Sequence, residues 1–179
     1  AESESYTTIS SPQEFPEGGY LIDEIEEPWV ILEIITRGEY LGSIMQLVIE
    51  RRGEYMNTEY LVKQAKEDSV SGRERVLLYF KLPLAELLTD FYDKLKSISS
   101  GYASLNYEVG DWRKVDLARV TFLVSGVEKE SLAMLVPKSQ SYARARETLT
   151  ILQKEIPPHL FEIRLQAKVG GKIIASDRI

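Results

Sequence analysis

The chain has 179 residues, 44% hydrophobic and 28% charged, with a formal net charge of −6, an ordinary folded composition with room for one large or two small domains. The absence of cysteine excludes disulfide scaffolds, thiol catalysis and cysteine-ligated metals, and a single histidine, His159, excludes a two-histidine metal site within the chain. No apolar run approaches the ~18 residues of a membrane-spanning helix, and the opening AESESY has neither the basic nor the apolar region of a signal peptide.

Residues 1–28 read as a connector. Ser10, Ser11 and Pro12, and then Pro16 to Gly19, break regular structure, while Asp23, Glu24, Glu26 and Glu27 surround a lone Ile25. So acidic and turn-rich a run looks like the cut end of something longer. From Trp29, the apolar run Val30, Ile31, Leu32, Ile34 and Ile35 predicts a buried strand. Leu41, Ile44, Met45 and Val48 recur at helical spacing, and this helix is expected to stop at Gly53 after Arg51 and Arg52, whose charges suit the negative end of its dipole. Tyr55 to Val62 predicts a second strand, Lys63 to Arg73 a polar loop, and Val76 to Leu82 an alternating third strand.

Pro83 suits the start of the next helix, with Leu84, Leu87, Leu88, Phe91, Leu95 and Ile98 on one face and an Asp90–Lys94 pair opposite, ending at Gly101. Glu86, Asp90 and Asp93 read as solvated carboxylates on its polar side. Tyr102 to Val109 alternates again, with Ala103, Leu105, Tyr107 and Val109 on one side. Strand, helix, strand, strand, helix, strand is the α+β, ferredoxin-like split β-α-β order, one four-stranded sheet with both helices on a single face.

After Gly110 the pattern restarts. Leu117 to Val124 and Val127 to Val136 predict a hairpin, Ser141 to Glu155 a helix, and Phe161 to Val169 a strictly alternating strand, together a small β-β-α-β unit. The expected organisation is therefore a linker at 1–28, a ferredoxin-like domain at 29–110 and a small C-terminal domain at 111–179. The last is marginal alone, because small domains bury only ~60% of their chain's surface, and is expected either to lean on the first domain or to continue past Ile179, where it reads as truncated.

No catalytic or metal-ligating set emerges. Gly170-Gly171-Lys172-Ile173 resembles a phosphate loop only in part: Gln166 stands where its first glycine would be and Ile173 where its Ser or Thr would be. A glycine turn between two strands fits better, and His159 reads as a loop residue. Charge is more informative. Residues 1–60 carry 3 basic and 13 acidic side chains, 61–109 carry 7 of each, and 110–179 carry 12 basic and 8 acidic. Within the basic third, Lys138, Arg144, Arg146, Lys168 and Lys172 are the candidates for phosphate contact, arginine as a fork and lysine as a point charge. No strand carries the stacking aromatics of a single-strand RNA reader, so the expected partner is structured RNA held by its backbone.

Glu27-Pro28-Trp29-Val30, Glu39-Tyr40-Leu41-Gly42, Glu50 to Glu54, Leu82-Pro83-Leu84-Ala85-Glu86 and Gly101-Tyr102-Ala103-Ser104 resemble the fifth domain of elongation factor G and its relatives. Tyr107-Glu108, Asp116-Leu117, Lys138 with Ser141-Tyr142-Ala143-Arg144, and Phe161-Glu162-Ile163 to Gly171-Lys172-Ile173-Ile174-Ala175 resemble the LepA, or elongation factor 4, family. Even Ser11-Pro12 to Phe15-Pro16 is similar to that family's linker; the departure is Lys63 to Arg73, longer than the resemblance implies.

The resemblance implies the C-terminal portion of a GTP-hydrolysing translation factor, not itself an enzyme. It implies no cofactor in this chain, with GTP and magnesium held by upstream GTPase domains of the same polypeptide and a basic tail beyond Ile179. The implied partners are the ribosome (large-subunit rRNA and proteins) and tRNA; the implied roles are back-translocation, rescue of stalled ribosomes or ribosome assembly. The implied location is cytoplasmic, with a peripheral place at the inner face of the cell membrane and an organellar source both left open. A ferredoxin-like regulatory pair that binds a small ligand is the alternative reading.

Overall fold

In β1 (Glu26–Arg37), Val30, Leu32, Ile34 and Thr36 turn to one side and are fully or almost fully buried, the period-2 signature of a strand with one face on a core. The computed structural model describes residues 6–16, 22–61, 74–157 and 162–179. The expected loop at Lys63 to Arg73, together with His159 and Phe161, lies outside the described residues.

The chain forms two compact units. One is Glu26–Lys114; the other joins Ala1–Ile25 to Val115–Ile179. In the first, β1 is followed by α1 (Leu41–Glu50), β2 (Glu54–Leu61), β3 (Arg75–Pro83), a helix in three pieces and β4 (Ser104–Lys114). The sheet order is β2-β3-β1-β4, antiparallel throughout. β3 is inserted between β1 and β2, as the split β-α-β order requires, and both helices supply the core: Ile44, Leu47 and Val48 from the first, Leu87, Phe91 and Leu95 from the second.

Four expectations need correction. Glu26 and Glu27 belong to β1, not to a connector, and β4 continues through Gly110 to Lys114. Gly110 marks a bulge in the β1–β4 ladder, where a side chain would sit 3.2 Å from the Trp29 carbonyl oxygen. Tyr107 and Val109, expected inside, are exposed because β4 is an edge strand. The second helix is α2 (Leu84–Glu86), a π-helical turn (Leu87–Phe91) and α3 (Tyr92–Ile98). The wide π turn places an extra residue in the repeat, so Leu88, expected in the core, is 67% exposed.

The second unit is β5 (Leu117–Val124), β6 (Val127–Pro137), α4 (Ser141–Glu155), β7 (Arg164–Val169) and β8 (Lys172–Arg178), in sheet order β6-β5-β7-β8. β8 is the run expected beyond the glycine turn, and it makes the unit one strand longer than β-β-α-β. The glycine turn that links it to β7 has Gly170 at φ +57°, and Ile163 and Ile179 exchange two backbone hydrogen bonds of 3.0 Å that close the far end of that pair. α4 covers one face through Ala145 and Leu149, over Val120, Phe122, Leu165 and Ala167. The 3-10 turn Pro12–Glu14, capped by the Ser11 hydroxyl, packs beside β6.

Candidate nucleic-acid interface

The five basic candidates all lie in the second unit, but they do not form one patch. The start of β5, the ends of β6 and β7, and the start of β8 meet at one end of the sheet. Lys138 opens a 3-10 turn there (Lys138–Gln140), its backbone N–H donating to the Asp116 carbonyl at 2.8 Å, and the turn runs straight into α4. Lys172, opposite Val169, stands beside the glycine turn at the same end. It is exposed and makes no ion pair among the described residues. The Lys138 ammonium faces Asp116 at 3.7 Å with both groups largely in water, an arrangement of little energetic weight that a phosphate can displace.

Arg144 and Arg146 flank the fully buried Ala145, one on each side of α4. Arg144 pairs with Glu147 at 3.4 Å. Arg146 donates from Nη1 to the Ser176 carbonyl at 3.2 Å and lies 3.8 Å from Asp177, while Gln153 donates to the Arg178 carbonyl at 2.9 Å. Both acceptors are outward carbonyls of β8, an edge strand. The arginine therefore clamps α4 to the sheet and shields that edge from further pairing. Lys168 is on the other face altogether, opposite Thr121 and paired with Glu128. Of the five, Lys138 and Lys172 share one end of the sheet with the start of α4 and are the least engaged.

The glycine pair forms the β7–β8 turn, and Lys172 and Ile173 open β8, so the segment is not a strand-to-helix loop. Among the described residues, no group of three or more His, Cys, Asp or Glu side chains could hold a metal ion.

The first unit contains a polar cluster that periodicity did not reveal. Arg51 and Glu86 are 5% and 6% exposed and 3.5 Å apart. Arg52 grips Glu27 with two bonds of 2.6 and 3.1 Å and Glu86 through Nε at 3.1 Å. Arg51 also bonds Asp90, which Lys94 reaches at 3.1 Å. Burial works against the Arg52 charge, but Glu27 and then Glu86 outweigh it and raise its pKa. Burial likewise opposes the Asp90 carboxylate, and Lys94 and Arg51 more than offset this, holding it below its ordinary value. Glu86 is thus not solvated as expected. The available signal was its place between Leu84 and Leu87, close to the core stripe.

The family model described as elongation factor G C-terminus matches residues 24–121. The chain belongs to that family. Residues 124–179 match a second model, described as GTP-binding protein LepA C-terminus. Elongation factor 4 of Chlorobium phaeobacteroides (strain BS1) is 41% identical over 171 residues, 96% of this chain and 26% of that protein. Elongation factor 4 of Thermotoga maritima is 43% identical over 168 residues, 93% of this chain and 25% of that protein. The chain spans about a quarter of the length of the curated relatives it matches. A solved chain from Thermus thermophilus aligns with 51% of this one and 12% of its own length at 21% identity, with a TM-score of 0.41.

Proposed function

We propose that this chain is the ribosome- and tRNA-docking module of a GTP-dependent translation factor, and that GTP and magnesium are handled by upstream domains of the same polypeptide. The observation that carries the reading is the tandem match, elongation factor G C-terminus followed by LepA C-terminus, along almost the whole chain. The charge gradient supports it, since residues 110–179 hold 12 of the 22 lysines and arginines. The chemistry is docking, not bond-breaking. Lys138 and Lys172 at the end of the second sheet, with Arg144 one turn along, meet phosphate oxygens, and affinity comes largely from displaced counterions. Large-subunit rRNA and the tRNA backbone are the partners of matching chemistry, in back-translocation, rescue of stalled ribosomes or assembly, within the cytoplasm.

Cosedimentation with ribosomes tests the assignment. Lys138→Glu together with Lys172→Glu should weaken binding by roughly tenfold, while Lys168→Glu, on the opposite face, changes it far less. Undiminished binding by the double variant would remove this end of the sheet from the interface.

A further inference from the structure

α4 lies alongside β8 and runs in the same sense: Arg146 reaches the Ser176 carbonyl at 3.2 Å and Gln153 the Arg178 carbonyl at 2.9 Å. Tyr142 precedes Arg146 by one helical turn and shares its flank, so it stands beside the residues that open β8. Helical side chains lean toward the N-terminus, which carries the ring further toward the glycine turn. Lys172 is on the same side of the sheet. Directly opposite residues of a ladder share a face, and Lys172 is opposite Val169, which packs against the core cluster beneath α4.

Both groups are idle within the fold. Tyr142 is 61% exposed, and among the described residues neither its ring nor its hydroxyl has a partner. Lys172 is exposed and unpaired among the same residues. The turn beside them leaves room for a ligand, since a Cβ at Gly170 or Gly171 would meet nothing within 4 Å. Two carboxylates border the site, and each faces a cation of its own: Asp177 lies 3.8 Å from Arg146 and Asp116 3.7 Å from Lys138.

We propose that Tyr142 is a stacking platform for one unpaired nucleobase, with Lys172 on the phosphate of the same nucleotide. The proposal rests on the docking of RNA phosphate by Lys138 and Lys172, and it narrows the partner: an RNA that offers an unpaired base, in a bulge or a loop, is favoured over an unbroken duplex. A free ammonium beside a free aromatic face matches a phosphate joined to a planar ring; an acidic peptide would use the charge and leave the ring bare. Stacking on one ring accepts any base, so the site distinguishes unpaired from paired rather than one base from another. No strand carries such a ring. The helix supplies it.

The test uses the whole chain and a short RNA hairpin with one bulged 2-aminopurine, against the same hairpin without the bulge. Tyr142→Ala should weaken binding of the bulged hairpin by roughly tenfold and change binding of the unbroken one less than about twofold. Tyr142→Phe, which keeps the ring, should match the unaltered chain. Stacking also quenches 2-aminopurine, so the unaltered chain should dim the bulged base at saturation and Tyr142→Ala should not. Equal losses on the two hairpins, or quenching that persists in Tyr142→Ala, would overturn the stacking site and leave phosphate docking standing. Undiminished binding of both hairpins by the Lys138→Glu, Lys172→Glu variant would overturn the docking itself, and this site with it. A polyglutamate peptide that displaces the bulged hairpin as well as its own unlabelled copy does would overturn the choice of RNA as occupant.

Discussion

Arg52 is in the left-handed region, with φ at +62°, where a side chain is disfavoured by roughly 1–2 kcal/mol. Its own N–H bonds the Ile49 carbonyl at 3.1 Å and the Gly53 N–H bonds the Val48 carbonyl at 2.8 Å, the paired closure of a Schellman C-terminus. The helix thus ends one residue differently from the usual glycine stop: arginine takes the left-handed position, and its bonds to Glu27 and Glu86 offset the strain. Gly53 is needed for space. A Cβ there would lie 2.3 Å from the Val48 Cγ1 and 2.8 Å from the Val48 carbonyl oxygen. Gly53→Ala should therefore destabilise the chain by about 1–3 kcal/mol, read as a lower urea midpoint at unchanged slope.

At the scale of elements, Glu86 joins α2 to the end of α1, while Arg52 ties that end to β1 through Glu27. The π turn that exposes Leu88 belongs to the same helix run that brings Asp90 to Arg51. Removing one member of such a cluster leaves buried charge unpaired. Glu86→Ala should destabilise by about 3 kcal/mol, more than loss of the side chain's packing alone. Asp90 adds a pH dependence of defined sign. Its folded-state pKa is below the ordinary 3.8, so its stabilisation is complete above that value and fades as pH falls through the lower folded value. Asp90→Asn should flatten the acid limb of a stability–pH curve below about pH 4 and leave its slope near neutrality unchanged.

For the molecule as a whole, the net charge of −6 conceals an acidic first third and a basic last third. A globally acidic chain gains little from nonspecific coating of RNA, so in the proposed docking role affinity rests on local contacts. With about three phosphates engaged, the logarithm of affinity should fall with the logarithm of salt at a slope of roughly −2 to −3. The Lys138→Glu, Lys172→Glu variant should lessen that slope by more than one, as sedimentation at a series of salt concentrations would show. A uniform drop in affinity at unchanged slope would mean that the two lysines do not touch phosphate.

Periodicity determined most of the architecture: Val30 to Ile34 alternate or run together as a central strand must, and Leu149 with Ala145 marks the buried face of α4, because side-chain period follows directly from backbone geometry. The charge gradient and the recurring segments that mark the family were equally legible in the residues themselves. Local pattern could not report which distant groups meet. Glu86 reads as one more acid on a helix until the fold brings Arg51 and Arg52 against it, and Leu88 reads as core until the π turn rotates it away. Arg146 and Lys168 look alike in a count of basic residues, yet one clamps β8 and the other occupies the opposite face. Tertiary packing alone decided those positions, since contact, unlike periodicity, depends on residues far away in the chain.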